Sequence, residues 1–213
     1  MGTYHSGPLG DFSGKIGNVV GSTWRGKAVM RSLPIKSTKA PSLSQQVQRD
    51  KFKAVMTFLN PIKELLNNTF GNNTQVKTPF NNATSYHLKE AMVYDGAAWQ
   101  MVYPKVLISA GSLQGLQAPV LSLVSPHSLL LQWTDNSPQG FAYTNDLLLV
   151  VVFAPALGDY AVFVGDATRE DGTATLQLPE VFTGQTIETW ASFISATGDK
   201  AAVSSYLGAF VVT

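Results

Sequence analysis

The sequence predicts an α+β protein, mainly β. A Gly-rich N-terminal β-hairpin and short helices are expected to precede a seven-stranded C-terminal β-sandwich. Three observations predict it. Short apolar segments separated by turn residues fill the chain from Pro119 onward, which is the texture of a sandwich. Upstream, apolar residues recur at helical spacing between Val47 and Leu66. Before them, Gly7, Gly10, Gly14, Gly17, Gly21 and Gly26 punctuate a stretch with two short apolar runs. The expected domains are 1–114, ribbon plus helical region, and 115–213, the sandwich.

In the first region, Ile16–Val20 and Ala28–Leu33 read as two strands joined by Thr23-Trp24-Arg25-Gly26-Lys27. A two-stranded ribbon is barely stable alone in water, so it needs a partner surface. Lys36–Pro41 reads as an extended polar linker. Ser42 followed by Gln45 is a capping-box arrangement. Val47, Val55, Phe58, Leu59, Ile62, Leu65 and Leu66 then form one apolar face. Pro61 interrupts that pattern and predicts a kink or two abutting helices ending near Gly71. A further helix is expected after Asn82, stopping at Gly96, and then one or two strands over Trp99–Ser109 broken at Pro104.

Seven strand candidates follow: Val120–Val124, Leu129–Trp133, Leu147–Phe153, Tyr160–Val164, Thr173–Leu178, Thr186–Ala196 and Ser204–Val212. Asp135-Asn136-Ser137-Pro138, Asp171-Gly172, Thr183-Gly184 and Gly198-Asp199 mark turns between them.

Composition excludes several classes of function. There is no cysteine, hence no disulfide, zinc-thiolate site or thiol nucleophile. No apolar run reaches membrane-spanning length. Met1 to Pro8 lacks the basic start and apolar core of a secretory signal, so synthesis in the cytoplasm without general export is expected. Net charge is only +1, but it is polarised: residues 1–53 carry nine Lys/Arg against two Asp, and residues 115–213 two against nine acids. Such polarity fits a polyanion partner, contact between subunits, or neutralisation within one fold.

Catalytic patterns are weak throughout. Gly21-Ser22-Thr23-Trp24-Arg25-Gly26-Lys27-Ala28 nearly spells a phosphate-binding loop, but Ala28 lacks the hydroxyl that holds magnesium, and a strand follows. A hairpin turn explains these residues better. His5, His87 and His127 lie in three different regions without ligand spacing. The acids fall at turns, where they bond nearby backbone; Asp166 to Asp171 is the best calcium candidate. No enzyme and no cofactor or metal is expected.

Two resemblances add to this reading. Leu129-Leu130-Leu131-Gln132-Trp133-Thr134 resembles the second strand of a fibronectin type III domain, and Thr186–Phe193 with Gly198 and Ser204-Ser205 resembles its last hairpin. This immunoglobulin-like resemblance implies that Trp133 and Trp190 pack in the same core, Trp190 standing where the family has tyrosine. The whole chain resembles an uncharacterised family of similar length common in Bacteroidota. That match rests on Phe12–Gly21, Trp24–Lys27, Arg31-Ser32-Leu33-Pro34, Gln46–Phe52, Lys105–Leu113 and Trp133-Thr134-Asp135-Asn136. Similar Gly-rich starts before such a helix occur in small phage-encoded proteins, which implies an assembly role.

The expected function is therefore a structural or interaction protein, a subunit of a phage-like virion or other extracellular assembly. Its partners would be copies of itself or other subunits, joined through Lys15, Trp24, Arg25, Lys27 and Arg31. A nucleic-acid partner for the basic third is the alternative, and a carbohydrate- or protein-binding module a third.

Overall fold

The computed structural model describes residues 2–3, 11–24, 26–35, 39–71 and 77–212. Two compact units follow one another in the chain, Met1–Gln46 and Val47–Thr213. The boundary expected between residues 114 and 115 falls inside the second. The helical segment shares a core with the strands that follow it.

In the first unit, β1 (Gly2–Thr3), β2 (Gly14–Ile16), β3 (Val19–Trp24) and β4 (Lys27–Ser32) form an antiparallel sheet in the order β1-β4-β3-β2. The expected two-stranded ribbon is thus part of a four-stranded sheet. Its first strand does not run from Ile16 to Val20. Gly17, at φ 57°, adopts a conformation that costs glycine little, and the chain reverses so that Ile16 pairs with Val19. The phosphate-loop-like residues lie on the β3–β4 hairpin, where Trp24 pairs with Lys27; no helix opens there. Of the linker, residues 36–38 lie outside the described residues.

Helix α1 (Leu43–Leu59) opens with the expected capping box: the Ser42 amide donates to Gln45 Oε1, and the Gln45 amide to Ser42 Oγ. It ends before Pro61, and α2 (Lys63–Thr69) resumes the same apolar face. Thr78 caps α3 (Pro79–Glu90) by accepting from the Asn81 amide. The helix stops six residues short of Gly96, because the chain turns into a hairpin of β5 (Met92–Tyr94) and β6 (Trp99–Met101). Asp95 stabilises the reversal by accepting from the amides of Ala97 and Ala98. At Pro104 a 3₁₀ turn replaces any further strand.

The remaining strands are β7 (Gln117–Ser125), β8 (Ser128–Thr134), β9 (Leu147–Ala154), β10 (Asp159–Thr168), β11 (Thr173–Gln177), β12 (Thr186–Ile194) and β13 (Ser205–Val211). They form a three-stranded sheet, β11-β8-β7, and a four-stranded one, β10-β9-β12-β13. Strand β9 shows why its sequence is a continuous apolar run. Leu148, Val150, Val152 and Ala154 enter one core, with Leu129, Leu131, Trp133 and Phe193. Leu149, Val151 and Phe153 enter a second core on the opposite face, with Val55, Phe58, Leu66 and Phe80 of the helices. Side chains alternate across a strand, so only a sheet covered on both faces tolerates such a run.

The same alternation corrects the expectation for the tryptophans. Both are buried, but Trp133 packs edge-on against Phe193 with ring centres 5.9 Å apart. Trp190 belongs to the helix-side core. It lies an odd number of residues from Phe193 on β12, and therefore on the other face. Its indole donates to the Tyr103 carbonyl at 3.2 Å.

The segment 105–113, part of the family-like pattern, is structural. The Ile108 amide donates to Ser204 Oγ at 2.9 Å, and Ser109 Oγ to Ser192 Oγ at 2.7 Å. At Gly111 a β-carbon would lie 2.2 Å from the Ala201 carbonyl oxygen, so the close approach of backbone to backbone requires glycine there. Among the described residues, no helix is long and apolar enough to cross a membrane.

Candidate functional site

The predicted partner-binding residues fall on the N-terminal sheet, and its register brings them together. Residues paired across antiparallel strands share a face. Lys15, Val20 and Arg31 form one row, Ser22 and Val29 the next, and Trp24 and Lys27 the third. All four described candidates, Lys15, Trp24, Lys27 and Arg31, therefore project from one face; Arg25 lies outside the described residues. The three cations are exposed, as is half of the Trp24 surface, while Val29 between the rows is buried. The other face carries Ile16 and Val19 in one row and Gly14, Gly21 and Met30 in the next, with Phe12 against Gly21. Sequence reasoning named the residues; only the register shows that they share a side.

Within the second unit, a groove runs beside α1 that the sequence reading missed. Val47, Ala54 and Thr57 form its floor and the β5–β6 hairpin its wall, around a cavity of about 380 Å³. A second lobe of about 250 Å³ shares Ala54, Thr57 and Trp99 with the first and extends to Phe153 and Pro155. Trp99 is fixed from three sides. Its indole donates to the Val47 carbonyl at 3.0 Å, Lys51 Nζ lies 4.3 Å from its ring centre, and the Tyr94 ring is 5.2 Å away. A hint existed in the aromatic pair flanking the Asp95–Ala98 turn, but a hairpin there was needed to see it.

The most heavily bonded side chain among the described residues was also missed. Arg169 is fully buried, and its Nε and Nη2 donate to Asp146 Oδ2 at 3.1 and 2.8 Å. Nη1 donates to Asn136 Oδ1 at 2.6 Å and Nη2 to the Gln114 carbonyl at 2.8 Å. The guanidinium lies 4.0 Å over the Phe193 ring, and the Arg169 carbonyl accepts from the Trp133 indole at 2.8 Å. A buried cation needs this degree of pairing. The network ties the β8–β9 loop, the approach to β7 and the end of β10 into one end of the strand assembly. Beside it opens a cleft of about 440 Å³ lined by Gln114, Gln117, Asn136 and Gln139.

His87, Asp171 and Asp199 each bond to groups close by in the chain. His87 is buried on α3; its Nδ1 faces the Ala83 carbonyl at 2.8 Å, and Nε2 accepts from the Leu107 amide at 3.4 Å. Burial pushes its pKa below the ordinary imidazole value. His127 sits in the β7–β8 turn at φ 62°, and His5 lies outside the described residues. Asp171, from the calcium candidate, caps its own turn: the amide and hydroxyl of Thr168 both donate to it and hold its pKa down. The Thr197 and Ser195 hydroxyls do the same for Asp199. Among the described residues no three His, Asp or Glu side chains converge as metal ligands would.

Comparison with known proteins gives the chain its family. No curated protein shows significant similarity to it. Among solved structures, the fn3 domain of the human collagen α-1(XX) chain is 18% identical, with a TM-score of 0.35 over 49% of this chain and 91% of that one. The fn3 domain of human contactin 1 is 8% identical, with a TM-score of 0.34 over 48% of this chain and 77% of that one. A computationally redesigned β-sandwich protein is 14% identical, with a TM-score of 0.34 over 47% and 91%. Residues 11–208 match a family of unknown function, and the chain accordingly belongs to that family, DUF6266.

Proposed function

We propose that this is a non-enzymatic interaction protein, most concretely a subunit of a phage-like or extracellular assembly, joined to its neighbours through the N-terminal sheet. In this reading the seven strands from Gln117 to Val211 form a fibronectin-III-like sandwich that serves as a rigid body. The observation that carries the proposal is the shared face of Lys15, Trp24, Lys27 and Arg31. Among the described residues none of the three cations makes an ion pair within the chain, so their charge is available to a partner. The acidic balance of residues 115–213 supplies a complementary surface on a second copy, and opposite charges would set register and encounter rate. A non-enzymatic role is supported by histidines and turn acids whose hydrogen bonds go to nearby backbone and hydroxyls.

The test is light scattering after size exclusion on the full chain and on the triple reversal Lys15→Glu/Lys27→Glu/Arg31→Glu. An oligomer in the parent that dissociates in the variant is expected. An oligomer indifferent to the reversal would sink the idea.

A second reading is favoured by Trp24 on the same face as the cations, since an aromatic platform beside positive charge also suits single-stranded nucleic acid. It predicts affinity that falls steeply with salt. A monomeric parent that retains an oligonucleotide at low salt, and loses it on the reversal, would select this reading.

A further inference from the structure

We infer that the cleft at the Arg169 end of the strand assembly is a binding site for a neutral, polyhydroxylated ligand, a glycan. It is a second site, independent of the cationic sheet.

The chemistry of the lining is unusual for this protein. The side chains that face the cleft with polar groups are all amides, from Gln114, Gln117, Asn136 and Gln139, and no ionisable group lines it. An amide offers both donors and acceptors, which is the pairing that vicinal hydroxyls of a sugar need. A phosphate or carboxylate would find no cation, and a metal ion no carboxylate.

The walls are held before any ligand arrives. Asn136, 2% exposed, donates to the Gly115 carbonyl at 3.0 Å and accepts from Arg169, so one buried network sets both sides. Gln139 Nε2 donates to Gln117 Oε1 at 3.0 Å across the mouth. That leaves the remaining amide atoms of these two, and the Gln114 side chain, without hydrogen-bond partners among the described residues. Such preorganisation lowers the cost of binding.

Backbone strain marks the same place. Of the three non-glycine residues at positive φ among the described residues, Ala118 (48°) lines the cleft and Phe141 (61°) flanks it, its carbonyl accepting from the Gln114 amide at 2.9 Å. Strain of this kind concentrates at functional sites. Phe141, joined to Gln114 by that bond, is 70% exposed. Rings beside amides suit a ligand with one apolar and one hydroxylated side. A peptide would have only the first two residues of the edge strand β7, Gln117 and Ala118, to pair with at this cleft.

The experiment is calorimetric titration of the full chain with a panel of neutral oligosaccharides built from glucose, mannose, galactose and N-acetylglucosamine, at low and high salt. Saturable binding of at least one, unchanged by salt, is expected. The surface variant Gln114→Ala/Gln139→Ala should weaken it about tenfold or more, about one hydrogen bond's worth per amide, with an unchanged circular dichroism spectrum. Phe141→Ala should weaken it as well. Binding of no neutral sugar at millimolar concentration overturns the inference. So does preference for an acidic sugar, or binding indifferent to the double variant. The triple reversal on the N-terminal sheet should leave sugar binding intact, so failure of the assembly reading and failure of this one are separately visible.

Discussion

Two arrangements of positive charge, one in each unit, contrast: a buried arginine in the larger unit and a group of exposed cations on the N-terminal sheet. In Val47–Thr213 the one buried cation, Arg169, is surrounded by acceptors and stacked on an aromatic ring. In the N-terminal sheet, Lys15, Lys27 and Arg31 stand exposed on one face. The first arrangement makes the charge part of the core. The second costs nothing in desolvation and leaves the charge for another molecule. Charge inside is therefore part of the fold here, and charge outside is, in the reading proposed above, recognition.

The strongest way to break this contrast is Asp146→Ala. It strands Arg169, whose side chain and that of Asp146 are 0% and 1% exposed. Removing one partner of a buried pair leaves an uncompensated charge and costs about 3–5 kcal/mol. Urea denaturation should show it as a lower midpoint. A loss below about 1 kcal/mol would mean that water reaches the guanidinium and that the network is peripheral.

Next in size come the two tryptophans, which sharpen the division of the larger unit into two cores. Trp133→Phe and Trp190→Phe should each cost about 0.5–3 kcal/mol. Because they lie on opposite faces of the β10-β9-β12-β13 sheet, their effects should add within about 0.5 kcal/mol. Trp133→Phe combined with Phe193→Leu should not add, since those rings touch. Coupling between the tryptophans larger than that between Trp133 and Phe193 would contradict the two-core description.

These cores also show where sequence reasoning reached and where it stopped. Every strand expected after Pro119 is present, because turn residues and β-branched runs are local signals. The capping box and the break at Pro61 are local too, and both are found. The face of Trp190 was not legible, because the run Ile187–Ile194 is buried on both sides and only its partners tell the sides apart. The sheet of four N-terminal strands was missed for a related reason: Gly17 looked like one more residue in an apolar run until Ile16 was seen to pair with Val19. For the site, residue types pointed to Lys15, Trp24, Lys27 and Arg31, but their shared face is a property of register. Nothing in the sequence joined Arg169, Asp146 and Asn136 into one group. Asp146 and Asn136 lie 23 and 33 residues from Arg169 along the chain, and nothing local distinguishes them from loop residues.

A smaller effect is expected from pH. His87 is neutral in the fold, with Nδ1 bonded to the Ala83 carbonyl and Nε2 accepting from the Leu107 amide. A second proton would set a donor against a donor. Its folded pKa lies below the ordinary value of 6.5, chiefly through burial, so below that pH the unfolded chain binds more protons than the folded one. Stability should be at its full value above 6.5 and decline as pH falls beneath it. Urea midpoints between roughly pH 7.5 and 5.5 should therefore drop in the parent and stay flat in His87→Leu. Equal slopes in both would assign the pH dependence to other groups.

The smallest change in stability belongs to the exposed cations, and it is the most informative for function. Lys15→Glu, Lys27→Glu and Arg31→Glu, made singly, should each shift the unfolding free energy by no more than about 0.5 kcal/mol, as surface substitutions do. Their effect on assembly should be large and should shrink as salt is raised, because screening within a Debye length removes what the reversal removes. Arg31→Glu should act more strongly than Lys27→Glu, since Arg31 shares its row with Lys15 while Lys27 lies two rows away beside Trp24. Size-exclusion profiles at low and high salt decide the matter. If a reversal instead unfolds the sheet, the cations are holding the N-terminal unit together, and the distinction between charge that folds and charge that recognises fails where it is drawn most sharply.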